Sequence, residues 1–137
     1  MDNAAPYLRL AGRILLSVIF IQAGIGKIFG YEGTAQHMTE NGVPAILLPL
    51  VILVEAGGGF LILLGLWTRW AALALAGFCV LAGFLFHYHP GDMMQMINFM
   101  KSVSIAGGLV FLLAMGAGPL SIDALRARRL AKPARNS

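Results

Sequence analysis

The chain has 137 residues, enough for one domain, and 58% of them are hydrophobic while only 12% are charged. A soluble domain carries about 25% charged residues, so this composition excludes a soluble globule and indicates a surface that faces lipid. The net charge is +4, and because half of the ten basic residues lie in the last twelve positions, the charge favours a basic juxtamembrane tail over a nucleic-acid-binding arm.

The first predicted membrane-spanning helix covers residues 8–29 and carries two charges that are costly in lipid. Arg13 and Lys27 bracket thirteen residues, about 20 Å of helix, whereas the hydrocarbon core is roughly 30 Å thick. At least one of them therefore lies within the membrane or extends its side chain to the interface. The helical stripe that they share is predicted to face the bundle, and it also contains Ser17, Phe20 and Gly24. Arg13 is a candidate partner for Glu55, and Lys27 lies near the opposite end of the helix.

The second predicted helix covers residues 44–67 and contains Glu55, eleven positions after Pro44 and twelve before Trp67. This spacing places Glu55 roughly 16 Å from either end, close to the bilayer midplane. Its short side chain cannot reach the interface from there, so it must be protonated, paired or facing water. We interpret Glu55 either as half of a structural ion pair or as a proton-accepting or ligand-binding carboxylate, which makes it the candidate catalytic residue.

Three consecutive glycines follow Glu55 in the same helix. Gly58 and Gly59 lie three and four residues after Glu55 and share its helical face. Glycines at such positions allow either another backbone or a flat ligand to approach closely. Gly58 and Gly59 are therefore candidate ligand-binding residues together with Arg13 and Lys27.

Two more apolar stretches, residues 70–88 and 99–118, complete a predicted all-α bundle of four membrane-spanning helices. Only Thr68 and Arg69 join the second helix to the third, so these two form an antiparallel hairpin. Cys79 is the one cysteine of the chain, which excludes an internal disulfide and a dithiol. The three histidines have no recognised ligand spacing, and no metal site is predicted.

The basic tail, residues 119–137, sets the predicted orientation through the positive-inside rule. The side predicted to be cytoplasmic holds Arg9, Arg13, Arg69, Arg126, Arg128, Arg129, Lys132 and Arg135, and the other side holds Lys27 and Lys101. Both termini and the tight hairpin are therefore predicted to face the cytoplasm, and the two longer loops to face outward.

These features together resemble the DoxX family of small bacterial and archaeal membrane proteins, over most of the chain and as a single domain of residues 1–137. The matching stretches are RILLSVIFIQAGIGK at 13–27, VEAGGGFLILLGLWTR at 54–69, the alanine-rich start of the third helix, and GAGPLSID at 116–123. The most specific part is the glutamate–glycine–glycine sequence that ends in Gly-x-x-Thr-Arg. Glu55, Arg13, Lys27 and Arg69 match the family pattern as hallmarks, since the family has no agreed catalytic residues.

The resemblance implies a redox role. The family is named for its similarity to a subunit of an archaeal thiosulfate:quinone oxidoreductase, and some members are linked to a membrane complex with a superoxide dismutase and a sulfurtransferase. It therefore implies a multi-pass protein of the bacterial inner membrane, a subunit of a quinone-linked oxidoreductase complex in sulfur, thiol or oxidant homeostasis. Quinone is the expected cofactor, with none held covalently.

Two alternatives of other classes remain open at this point. The chain is then either a non-catalytic anchor or assembly partner for soluble enzymes, or a small transporter, for which four helices require a dimer. The expected partners are the lipid bilayer, a soluble redox enzyme and a second copy of the chain, and nucleic acid is not expected.

Overall fold

The computed structural model describes residues 3–132, and this part of the chain is helical and contains no strands. Its helices are α1 (Ala5–Phe29), α2 (Tyr31–Glu40), α3 (Ala45–Leu64), α4 (Thr68–His87), α5 (Met93–Met115) and α6 (Ile122–Ala131). Four of them, α1, α3, α4 and α5, are long and apolar enough to cross a membrane. The predicted all-α bundle of four membrane-spanning helices is thereby confirmed. The end of the predicted tail, residues 133–137 with Arg135, lies outside the described residues.

Caps and glycines move the helix ends away from the predicted positions. Helix α5 begins at residue 93 rather than 99 because the carboxylate of Asp92 accepts the N–H of Gln95 at 3.2 Å and caps the first turn. The same helix ends before Gly116, whose φ is 73°, and α3 ends before Gly65, whose φ is 70°. A glycine adopts this left-handed conformation without the steric cost that a side chain would add.

Two further helices lie outside the four membrane-spanning ones. Helix α2 occupies most of the segment that was predicted to be a loop between the first two spans. Helix α6 begins after Ser121, whose hydroxyl accepts the N–H of Ala124 at 3.1 Å. Ser121 is thus an N-cap, and the predicted tail folds into a short helix with Arg126, Arg128 and Arg129 on its surface.

The spans pack in chain order: α1 lies against α3, α3 against α4, and α4 most extensively against α5. Between these helices lies a core of apolar side chains: Phe20, Ile62, Ala71, Ala72, Leu75, Ala76, Cys79, Ala106 and Leu109. Large apolar side chains point outward along all four spans, as expected where lipid is the solvent. The buried face of α1 consists of Arg13, Ser17, Phe20 and Gly24, the stripe predicted to face the bundle.

Candidate functional site

An ion pair joins α1 and α3 in the membrane-spanning part of the bundle. The ammonium of Lys27 donates to both oxygens of the Glu55 carboxylate, at 2.9 Å to Oε1 and 2.8 Å to Oε2. This is the one salt bridge among residues 3–132. A charge in hydrocarbon is costly unless it is paired. Each of these two residues therefore offsets the cost of placing the other in the membrane.

The two partners differ in their access to the surroundings. Only 5% of the Glu55 side chain is exposed, whereas 27% of the Lys27 side chain is. Glu55 is therefore enclosed by the helices, and Lys27 separates it from the surface. Of the two side chains, Lys27 is therefore the one in contact with the surroundings of the bundle.

The local backbone of both helices shapes this site. Residues Leu53–Gly57 of α3, around Glu55, form a π-helical turn instead of an α-helical one. Such turns are rare and occur frequently at functional sites, because the widened turn redirects side chains. On α1, Gly24 lies so close to Ala56 that an added Cβ would come within 2.7 Å of the Ala56 Cβ. The two helices thus meet one turn from Lys27 and next to Glu55 in sequence.

The prediction that Arg13 pairs with Glu55 is wrong. The Arg13 guanidinium donates instead to the carbonyl oxygens of Ile62 and Leu63, at 3.1 Å each, and to that of Leu120. The reason is the direction of side chains on a helix, which lean towards its N-terminus. From α1, Lys27 leans towards the middle of the bundle, where Glu55 lies, and Arg13 leans away from it.

Arg13 consequently stabilises the end of a helix. Ile62 and Leu63 belong to the last turn of α3, where the helix no longer supplies an N–H donor four residues further on. The Ile62 carbonyl also accepts the N–H of Gly65 at 3.2 Å. Arg13 is only 1% exposed, and its charge is balanced by these carbonyl dipoles. We therefore assign it a structural role at this end of the bundle.

The two candidate glycines are packing positions in this fold. A Cβ on Gly59 would lie 2.9 Å from Cγ1 of Ile21 and 3.1 Å from Cβ of Phe20, so α1 fills this space. A Cβ on Gly58 would lie 3.0 Å from the side chain of Leu75 on α4. Another helix therefore lies in the direction of the missing side chain at both positions, and Gly58 also borders a surface groove between α3 and α4.

A second polar cluster lies where α1 begins and α3 and α5 end. We call it the arginine end, and it comprises Arg9, Arg13, Arg69, Asp123 and Arg126. Arg9 donates to the carbonyl of Met115 at 2.6 Å, and the guanidinium of Arg126 lies 6.0 Å from the ring centroid of Trp67.

Asp123 caps the start of α4 from a distant part of the sequence. Its carboxylate accepts the N–H of Trp67 at 2.8 Å and that of Thr68 at 3.0 Å. Burial raises the pKa of Asp123, but the hydrogen bonds from Thr68 and Trp67 and the charge of Arg126 outweigh burial and hold this pKa below its usual value. Sequence reasoning missed this role. Asp123 lies in the first turn of α6, where an acidic residue is common, and nothing in the sequence indicates that it bonds to a second helix 55 residues away.

The histidines lie apart from the ion pair. His87 contacts Gln95 through Nδ1 at 2.8 Å, and the ring of His37 stacks on Phe86 with the centroids 5.4 Å apart. In the part of the chain that the structure describes, no three His, Cys, Asp or Glu side chains form a group that could hold a metal ion.

Comparison with known proteins gives consistent matches over most of the chain. The family model DoxX matches residues 8–88. The inner membrane protein YqjF of Escherichia coli (strain K12) is 50% identical over 116 residues, which cover 85% of this chain and 89% of that protein. The inner membrane protein YphA of the same organism is 37% identical over 127 residues, covering 88% and 91%.

A shorter match concerns a protein with a functional name. "Putative oxidoreductase CatD" of Bacillus subtilis (strain 168) is 35% identical over 57 residues, which cover 42% of each chain. No solved structure gives a significant match.

Proposed function

The chain belongs to the DoxX family and is a multi-pass protein of the bacterial inner membrane, and from this premise we propose that it is the membrane subunit of a quinone-linked oxidoreductase complex. The observation that carries the proposal is the ion pair between Lys27 and Glu55 inside the membrane. The partial similarity to a Bacillus subtilis protein with an oxidoreductase name supports it.

The pair is suited to proton transfer inside the membrane. Reduction of a quinone by two electrons takes up two protons, and a donor at the membrane interior must supply them locally. Lys27 Nζ lies 2.8–2.9 Å from the two carboxylate oxygens of Glu55, so a proton can pass between them along a hydrogen bond. In this proposal the pair delivers the two protons one after the other: each passes from the Glu55 carboxyl by way of Lys27 to a quinone oxygen, and Glu55 is reprotonated from water through Lys27, which is partly exposed.

The quinone ring approaches the exposed side of Lys27. Glu55 is enclosed, and the side chains of Leu75, Phe20 and Ile21 lie where a Cβ on Gly58 or Gly59 would point. The glycines and Arg13 act here as positioning residues, since they let α1 and α3 approach each other and fix the far end of α3. The electrons come from a soluble partner enzyme or directly from a reduced substrate.

The test is the quinone content of protein purified in mild detergent from its native membrane. We expect about one quinone per chain in the wild type, and loss of quinone in Glu55→Gln and Lys27→Gln. The matched control is Glu40→Gln, because Glu40 is an exposed carboxylate on α2. Quinone-free wild-type protein, or full quinone in Glu55→Gln, contradicts the proposal.

A charge swap separates function from folding. Removing one partner of a buried ion pair costs about 3–5 kcal/mol, so the single variants are expected to accumulate poorly as well. The double variant Lys27→Glu with Glu55→Lys keeps an ion pair but moves the carboxylate to the other helix. We expect it to restore accumulation in the membrane without restoring quinone binding. Recovery of both would reduce the pair to a structural role.

The alternatives give different outcomes in the same preparations. An anchor or assembly partner retains its soluble enzyme in every variant that folds and binds no quinone. A transporter moves its substrate across vesicle membranes without any partner protein.

A further inference from the structure

Two grooves on the surface of α3 and α4 meet at a pair of tryptophans. One is an apolar groove of about 750 Å³ between the two helices, lined by Leu53, Val54, Gly57, Gly58, Leu61 and Ala74. The other is a polar groove of about 430 Å³ at the arginine end, lined by Arg69, Gly116 and Asp123 among others. Trp67 and Trp70 line both grooves, so the two adjoin at these side chains, and we treat them as the apolar half and the polar half of one surface.

The apolar half has the dimensions of one lipid leaflet. From Leu64, where α3 ends, to Leu53 there are eleven residues, roughly 16 Å of helix against a half-bilayer of about 15 Å. The groove exists because Gly57 has no side chain: a Cβ there would meet only Cδ1 of Leu53, at 3.8 Å. Tryptophans at its end are typical of the membrane interface.

The polar half carries an arginine without a partner in the described structure. Arg69 is exposed, and among residues 3–132 its guanidinium makes no hydrogen bond within 3.5 Å and no salt bridge. It lies over Gly116, where a Cβ would be 3.4 Å from Nε and Nη2. Arg126 adds a second positive charge above Trp67, and the one acidic side chain of this groove, Asp123, already accepts two backbone N–H groups.

We propose that this surface is a binding site for one anionic glycerophospholipid, with the headgroup phosphate on Arg69 and one acyl chain in the groove beside Gly57. The fork of a guanidinium matches a phosphate, and the groove below it accepts an acyl chain. The site differs from the Lys27–Glu55 pair in place and chemistry, so it does not rest on the proposed quinone function.

The test is native mass spectrometry of the delipidated protein with phosphatidylglycerol or phosphatidylcholine at equal concentration. We expect the wild type to retain one phosphatidylglycerol in preference to phosphatidylcholine. Arg69→Gln is expected to weaken this retention about fivefold, the effect of one arginine at an anionic interface. The matched control is Arg129→Gln, which removes the same charge from an exposed position of the tail helix and is expected to leave retention unchanged.

A second pair of variants tests the groove without changing the charge. Gly57→Leu fills the apolar half and is expected to weaken retention of phosphatidylglycerol. Gly77→Leu, at an exposed position of α4 with nothing within 4 Å of a Cβ, is expected to have no effect. Equal losses in Arg69→Gln and Arg129→Gln would overturn the proposal in favour of unspecific charge attraction. Equal retention of both lipids, or unchanged retention in Gly57→Leu, would also overturn it.

Discussion

At the scale of single residues, Asp123 connects the tail to the bundle. Its carboxylate holds the first two amides of the α4 start, and its own N–H donates to the carbonyl of Gly65 at 2.8 Å. Groups on both sides of the tight hairpin between α3 and α4 therefore bond to one residue from the C-terminal part of the chain, through its side chain and its backbone N–H. A capping carboxylate of this kind is worth about 0.5–2 kcal/mol.

We expect this contribution to depend on pH. The pKa of Asp123 is lowered in the folded state, so its stabilisation is complete above the unfolded pKa of about 3.9 and is lost as pH falls through the folded pKa. Asp123→Asn should therefore lower the Tm of the detergent-solubilised protein at pH 7, and the difference should shrink as the pH falls below the unfolded pKa and disappear below the folded pKa. Glu32→Gln, at an exposed position of α2, is the control that should show no such difference. A gap between Asp123→Asn and wild type that does not narrow as the pH falls below the unfolded pKa of about 3.9 would contradict the role of the charge.

At the scale of helices, the contact between α1 and α3 depends on one glycine. A Cβ on Gly24 would lie 2.7 Å from the Cβ of Ala56 and 2.8 Å from its backbone nitrogen. Because one of these atoms is backbone, no rotation of a side chain can relieve the overlap. The helices would have to separate at the level of the Lys27–Glu55 pair.

Gly24→Ala and Gly26→Ala form a matched pair on the same helix. Nothing lies within 4 Å of a Cβ on Gly26, so Gly26→Ala gains helix propensity of up to about 1 kcal/mol and should keep or raise the Tm. Gly24→Ala gains the same propensity but overpacks the interface at a cost of about 1–3 kcal/mol. We expect a lower Tm for Gly24→Ala than for Gly26→Ala in detergent. Equal values would show that α1 and α3 adjust freely.

At the scale of the whole molecule, the sequence predicts membrane spans well and partners of charges less well. Length and composition suffice for four spans, because lipid requires about 20 apolar residues for each. Angular position on α1 is also readable, and Arg13 and Lys27 share the predicted face. The depth of each residue in the membrane and the direction of its side chain are not readable in this way. Arg13 and Lys27 both lie on the face of α1 that points towards Glu55, but side chains lean towards the helix N-terminus, so only Lys27 reaches the carboxylate.

The remaining misses involve contacts over long sequence distances. The π-helical turn around Glu55 has no signature in the periodicity of a short apolar stretch. The cap that Asp123 provides to α4 and the bond from Arg9 to Met115 span 55 and 106 positions. Such contacts depend on which helices lie side by side in the bundle, and the local pattern of residues along one sequence does not determine that arrangement.

The orientation in the membrane follows from where the fold collects its positive charges. Arg9, Arg13 and Arg69 meet the end of α5 and the start of the tail helix, so the basic residues of α1, α4 and the tail helix lie at one end. The positive-inside rule then predicts that the arginine end and both termini face the cytoplasm.

A Cys79→Ala background allows this orientation to be measured with single cysteines. Gly91→Cys, in the turn before α5, should react with a membrane-impermeant maleimide in intact cells, and Leu130→Cys, 84% exposed on the tail helix, only after permeabilisation. The reverse pattern would place the arginine end outside and would refute the predicted orientation.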